Sequence, residues 1–175
     1  MRTLVLVGLP GSGKSTVGRS LGRRLGRPFH DSDHVIEQRI GCSIREFFAR
    51  EGEERFRDEE QQALADIAAG PPCVLATGGG AVLREANRQI LRQAGHVIYL
   101  RCTPEELWRR LHRDTKRPLL QVSDPQGKLR QLFAERDPLY REIAEFIIDT
   151  GRPSVPALVS MVVTQLELAG LLGLG

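Results

Sequence analysis

Aromatic residues supply only 5% of this 175-residue chain, too few for the stacking platforms that hold single-stranded nucleic acid. A large excess of either charge sign is also lacking. The 25 basic residues exceed the 22 acidic ones by only three and are scattered along the chain. A sequence pI near 9.0 therefore suits a polyanionic small substrate as well as it suits nucleic acid, and no nucleic-acid partner is expected. The cysteines number three, Cys42, Cys73 and Cys102, with no Cys-x-x-Cys pair. Reduced, mostly buried thiols and a cytoplasmic setting are expected. His30, His34, His96 and His112 show no metal-ligand spacing. No apolar run approaches the ~18 residues of a membrane span, so no membrane partner is expected. A strand starting at Thr3 leaves no room for a signal peptide, and none is expected. With 41% apolar and 27% charged residues, one compact domain over residues 1–175 is the expectation.

What is present begins with Gly8 to Thr16, reading Gly-Leu-Pro-Gly-Ser-Gly-Lys-Ser-Thr. The spacing is that of a phosphate-binding loop: a glycine, four residues, then Gly13-Lys14-Ser15. A short apolar run, Thr3 to Val7, precedes it, and Val17, Leu21 and Leu25 come after it at helical spacing. Glycines let backbone N–H groups turn inward, and the helix N-terminus adds partial positive charge. Gly11, Ser12, Gly13, Lys14, Ser15 and Thr16 are thus candidates to cradle a nucleoside triphosphate. Lys14 would reach the β- and γ-phosphates and the Ser15 hydroxyl would ligate Mg²⁺. A bare glycine-rich turn does not explain the Lys-Ser pair.

Strands and helices then alternate. Asp31 and Asp33 stand where a second strand should end, the position at which open parallel sheets bind ligands. One of them could instead cap the helix around Val35 to Ile40, Asp33 more readily than Asp31. Ser43 and Glu46 form a capping box, and Gly52 separates that helix from a charged one over Glu53 to Ala69. Arg57 and Glu60 share a side of it, where a solvated ion pair is the default expectation. A third strand, Cys73 to Ala76, ends in Thr77 and three glycines, Gly78 to Gly80, which permit close backbone approach to a ligand. No aspartate succeeds this strand, so Asp31 is the nearest candidate to hold the metal. A helix from about Arg84, a fourth strand from His96 to Arg101 and a capped helix from Thr103 come next. Helical periodicity lapses over about 112–127, as in a functional lid. It resumes from Lys128 to Arg136, and Asp137-Pro138 reads as the start of a further helix. Phe146 to Ile148 makes a fifth strand, and Pro156 to Leu172 a closing helix. The order predicts an α/β fold, three αβα layers around a five-stranded parallel sheet.

Phosphoryl transfer needs an acid that orients the acceptor, cations over the moving group, and exclusion of water. Asp33 would orient an alcohol, Arg117 in the lid would close over the γ-phosphate, and Asp31 would help hold Mg²⁺. Arg57 and Arg136 are planar forks suited to a carboxylate. An acceptor bearing hydroxyls and a carboxylate is the expectation.

The motifs together resemble the shikimate kinase family over nearly the whole chain. They are the phosphate loop, Asp31-Ser-Asp33, Gly52-Glu-Glu-Arg-Phe-Arg57, Gly78 to Gly80, Arg117-Pro-Leu-Leu120 and Arg136-Asp-Pro-Leu-Tyr140, in family order. The resemblance implies transfer of the ATP γ-phosphate to the 3-hydroxyl of shikimate in aromatic amino acid (chorismate) biosynthesis. It implies a nucleoside-monophosphate-kinase-like fold with a substrate-binding region near 32–62 and a lid near 112–127. By the same resemblance Lys14, Asp33 and Arg117 are catalytic, and Ser15 and Asp31 hold Mg²⁺. Asp33, Arg57, Gly79, Gly80 and Arg136 bind the acceptor, and Glu60 supports the substrate-binding arginine. Arg110 and Arg152 join the phosphate loop in binding ATP, although the run Asp149-Thr-Gly-Arg-Pro153 departs from the family's usual adenine loop. The implied partners are ATP and shikimate, handled by a monomer. Two rivals are a kinase of the same fold acting on gluconate or a nucleoside monophosphate, and a nucleotide-binding scaffold without catalysis. Asp33 together with Arg57, Gly78 to Gly80 and Arg136 argues against the first, and the presence of Lys14, Asp33 and Arg117 argues against the second.

Overall fold

The computed structural model describes residues 2–112, 122–151 and 153–172. Its organising strand is β1 (Thr3–Val7), buried along its whole length. A continuous apolar run of this kind suits a strand covered on both faces. It lies at the centre of a five-stranded parallel sheet with β2 (Phe29–Asp31), β3 (Val74–Ala76), β4 (Gly95–Arg101) and β5 (Phe146–Asp149), in the spatial order β2-β3-β1-β4-β5. The register pairs Val5 with Leu75 on one side and with Val97 on the other.

Alternation along β1 divides the core into two layers. Val5 and Val7 face one cluster, joined by Leu64 of α4 (Glu53–Ala69), Leu91 of α5 (Glu85–Ala94), Leu107 of α6 (Pro104–Leu111) and Leu132 of α7 (Pro125–Ile143). Leu4 and Leu6 face the other, with Val17 and Leu21 of α1 (Lys14–Leu25) and Val162 of α8 (Val155–Leu168). A third cluster lies among helices alone. Ile36 of α2 (Ser32–Ile40), Phe47 of α3 (Ile44–Glu51) and Phe56 and Ala63 of α4 form it.

This order creates a crevice. From β1 the chain leaves through α1 on one face toward β2, whereas from β3 it leaves through α5 on the other face toward β4. The loops after β1 and β3 thus part at adjacent carboxyl ends, the place where open α/β sheets bind ligands.

Two expectations need correction. Asp137-Pro138 does not start a helix; α7 runs through it without a break. Asp137 is engaged sideways, accepting from the Tyr99 hydroxyl at 2.7 Å and from Arg141 Nε at 2.9 Å, so it is not a cap. The closing helix stops at Leu168, four residues short of Leu172. Of the expected lid, 113–121 lie outside the described residues, and 125–127 already belong to the first turn of α7. Among the described residues no helix is long and apolar enough to cross a membrane.

Candidate active site

The loop after β1 packs tightly and enters α1 through Gly13, whose φ of 94° lies in the left-handed region that favours glycine. No side chain caps α1, which leaves its first N–H groups available to an anion. Lys14 is only 8% exposed. Its ammonium donates to the carbonyls of Gly8 at 2.8 Å and Leu9 at 2.9 Å, folded over the loop it belongs to. The buried Ser12 hydroxyl has no hydrogen-bond partner among the described residues.

Asp31 works in two directions. One carboxylate oxygen accepts from the backbone N–H of Asp33 at 3.0 Å and so caps α2. The other accepts from the Ser15 hydroxyl at 2.6 Å. Asp31, and not Asp33, is therefore the cap, which leaves the Asp33 carboxylate for the cleft. The pairing of Ser15 with Asp31 brings two hard oxygen donors together beside the phosphate loop, a set that fits Mg²⁺ with its remaining positions left to water and phosphate.

Asp33, Gly11, Gly13, Lys14, Ser15, Thr16, Asp31 and Gly79 line one cleft of about 460 Å³ with Pro10, Thr77 and Gly78. Burial pushes the Asp33 carboxyl up to about 6, helped by the negative charges of Asp31, Glu60 and Glu37 and opposed by Lys14.

The glycine run after β3 gathers the remaining groups. A methyl group on Gly78 would lie 2.5 Å from Asp33 Oδ1, and one on Gly79 would lie 3.2 Å from Arg136 Nη1. One on Gly80 would meet the Arg57 guanidinium, with Cζ at 2.8 Å. Three successive residues without side chains thus sit against a carboxylate and two guanidinium groups. Arg57 and Arg136 converge, although they come from α4 and α7, far apart in sequence.

The Arg57–Glu60 pair is not the solvated bridge expected by default. Nη1 lies 2.8 Å from Glu60 Oε1, with the two side chains 11% and 1% exposed. Burial pushes the Glu60 carboxyl up, and the Arg57 and Arg136 charges pull it back. The Nε atoms of Arg57 and of Arg136 are buried without a hydrogen-bond partner among the described residues. Buried donors of this kind call for an acceptor.

Arg110 reaches from α6 to the carbonyls of Ser12, at 3.3 Å, and Thr150, bridging the phosphate loop and the turn after β5. Arg117 and Arg152 lie outside the described residues.

Comparison with known proteins decides the family. The shikimate kinase family pattern matches residues 10–167. The chain belongs to the shikimate kinase family. It is 59% identical over 169 residues to the shikimate kinase of Paracidovorax citrulli, covering 95% of this chain and 92% of that one. It is 55% identical over 168 residues to the shikimate kinase of Burkholderia thailandensis, covering 96% and 91%. Its structure superposes with a TM-score of 0.91 and 44% identity on shikimate kinase from Acinetobacter baumannii in complex with shikimate, over 99% of this chain and 96% of that one. Family membership makes this chain an ATP-dependent kinase.

Within the shikimate kinase framework, the structure adds residues that the motifs did not assign. Pro10 packs on Gly79, with Cδ 2.5 Å from where a methyl there would be. The buried Ser32 hydroxyl accepts from Gly78 N–H at 3.0 Å, tying the glycine run to the start of α2. The one signal for Ser32 was its place between two aspartates. The three cysteines are free thiols, with Cys73 and Cys102 buried and Cys42 half-buried.

Proposed function

We propose that this chain transfers the γ-phosphate of ATP to the 3-hydroxyl of shikimate, giving ADP and shikimate 3-phosphate. The observation that carries the reading is the line of Asp33, Arg136 and Arg57 along Gly78, Gly79 and Gly80. It supplies one acceptor for a hydroxyl proton and two forks for a carboxylate, side by side along a glycine run whose Gly78 and Gly79 line the phosphate-loop cleft.

In this reading the triphosphate lies along Gly11 to Thr16, and Lys14 exchanges the carbonyls of Gly8 and Leu9 for phosphate oxygens. Ser15 and Asp31 hold Mg²⁺, which when bound neutralises charge on the phosphates. Asp33 accepts the hydrogen bond of the attacking hydroxyl, aligning it with the γ-phosphate. With its proton lost near pH 6, it is mostly ionised at neutral pH. Arg57 and Arg136 hold the acceptor carboxylate, with Glu60 fixing Arg57, and Gly79 and Gly80 give the acceptor a backbone surface. Arg117, in a lid between α6 and α7, closes over the transferring group and excludes water. Arg110 and Arg152 flank the adenine. The segment 32–62 forms the acceptor side, all within a single domain over 1–175 that acts as a monomer in the cytoplasm on ATP and shikimate.

An ADP-release assay across shikimate, gluconate and nucleoside monophosphates tests the assignment. Turnover with shikimate alone is the expected result. Turnover with a nucleotide and none with shikimate would overturn it.

A further inference from the structure

Tyr140 is fully buried, yet its hydroxyl is fixed by a polar contact, donating to the Gly79 carbonyl at 2.6 Å. Arg136 stands one turn earlier on the same face of α7, and its Nη1 lies against the Gly79 backbone. The positive charges of Arg136 and Arg57 work against the burial that raises the Tyr140 pKa. The Tyr140 hydroxyl therefore holds the same glycine that the Arg136 guanidinium lies beside.

The peptide bond gives this contact a direction. A trans peptide sets C=O and N–H on opposite sides of the unit, and no described peptide is cis. With the Gly79 carbonyl held on the Tyr140 side, the N–H of Gly80 points away from Tyr140. Neither the Gly79 nor the Gly80 N–H donates to a described residue. In a run of glycines the unit would otherwise flip readily, because no Cβ restricts it. The tyrosine ring is in turn held by the Tyr99 ring, at 4.9 Å between centroids, and the Tyr99 hydroxyl is anchored on Asp137.

We propose that Tyr140 is a positioning residue for the acceptor: its hydroxyl fixes the Gly79–Gly80 peptide and the Arg136 guanidinium in one arrangement, so that both address the same ligand. The inference rests on the shikimate reading, and its test separates the two.

Tyr140→Phe keeps the ring and removes the oxygen. Wild-type turnover with shikimate checks the underlying reading first. For Tyr140→Phe, KM for shikimate should rise about tenfold, the worth of one such hydrogen bond. KM for ATP should stay within about twofold and kcat within about threefold. In an Arg136→Ala background the same substitution should raise KM for shikimate by about threefold or less, because part of the effect acts through that arginine. An unchanged KM for shikimate in Tyr140→Phe would overturn the inference while leaving the shikimate reading intact. So would an equal rise in both KM values with a lowered Tm, which is the mark of a purely structural hydroxyl. An undiminished effect in the Arg136→Ala background would remove the link to Arg136.

Discussion

Asp31 and Asp33 are the same residue type two positions apart, and their surroundings give them different work. Asp31 is held by a backbone N–H and by the Ser15 hydroxyl. Asp33 is turned into the cleft among other carboxylates and retains its proton up to about pH 6. Asp33→Asn should lower kcat by about 10²- to 10⁴-fold, the range for loss of a positioned acid or base, with KM for ATP changed by less than about threefold. Steady-state kinetics in both substrates check this; a comparable loss of ATP affinity would place Asp33 in nucleotide binding. In the wild type, kcat/KM for shikimate should fall about tenfold per pH unit below pH about 6, as Asp33 in the free enzyme takes up its proton. A profile flat down to pH 5 would deny Asp33 that role. Lys14→Ala should reduce turnover below detection in the same assay, since Lys14 is the one cationic side chain among the described residues lining the cleft.

At the scale of elements, the loop after β3 works by what its residues omit. Gly80→Ala would put a methyl group against the Arg57 guanidinium, which Glu60 holds at 2.8 Å. We expect KM for shikimate to rise about tenfold or more with KM for ATP unchanged, measured in the same assay. An unaltered KM for shikimate would mean that Arg57 moves aside freely and that its fixed position is unimportant. The sequence revealed this loop as a place of close approach, because a glycine run at a strand end has few other uses. It did not reveal what approached. The partners of Gly79 and Gly80 come from α7 and α4, and only the three-dimensional packing decides that Arg136 and Arg57 meet there. The helix register of α7 was legible in principle. Leu132, Arg136, Tyr140 and Ile143 repeat at three- and four-residue steps straight through Pro138, a stripe stronger than the cap signal that Asp137-Pro138 suggested. Tertiary contacts won: Asp137 is taken by Tyr99 and Arg141, and packing of Tyr140 and Ile143 holds the helix where the proline has removed one N–H. The capping of α2 was likewise readable only as a choice between two aspartates. The hydrogen bond from the Asp33 N–H to Asp31 decided it, with Ser15, on a different element, holding the other Asp31 oxygen.

At the scale of the whole molecule, the sheet order sets two loops at one crevice, and the chain then places acidic groups there that do not favour folding. The Asp33 carboxyl shows the cost. A group that holds its proton from the ordinary 3.8 up to about 6 binds protons more tightly in the folded state than in the unfolded one. Its favourable contribution is therefore complete below pH about 4 and is lost as pH rises through about 6. By pH 8 the ionised carboxylate costs at most ~3 kcal/mol relative to a neutral side chain of the same shape, and solvent at this half-buried group reduces that to roughly 2. Asp33→Asn removes the charge and keeps the shape. At pH 8 it should raise Tm by roughly 4–8 °C for a chain of this length, and at pH 4 by ~2 °C or less. Thermal melts of both proteins without ligand check this, because the difference between them cancels the other carboxylates that titrate over the same range. An equal gain at both pH values would assign the effect to packing instead of charge. A variant that is more stable yet nearly inactive at pH 8 is the expected behaviour of a cleft that carries an ionised group for the reaction at the expense of the fold.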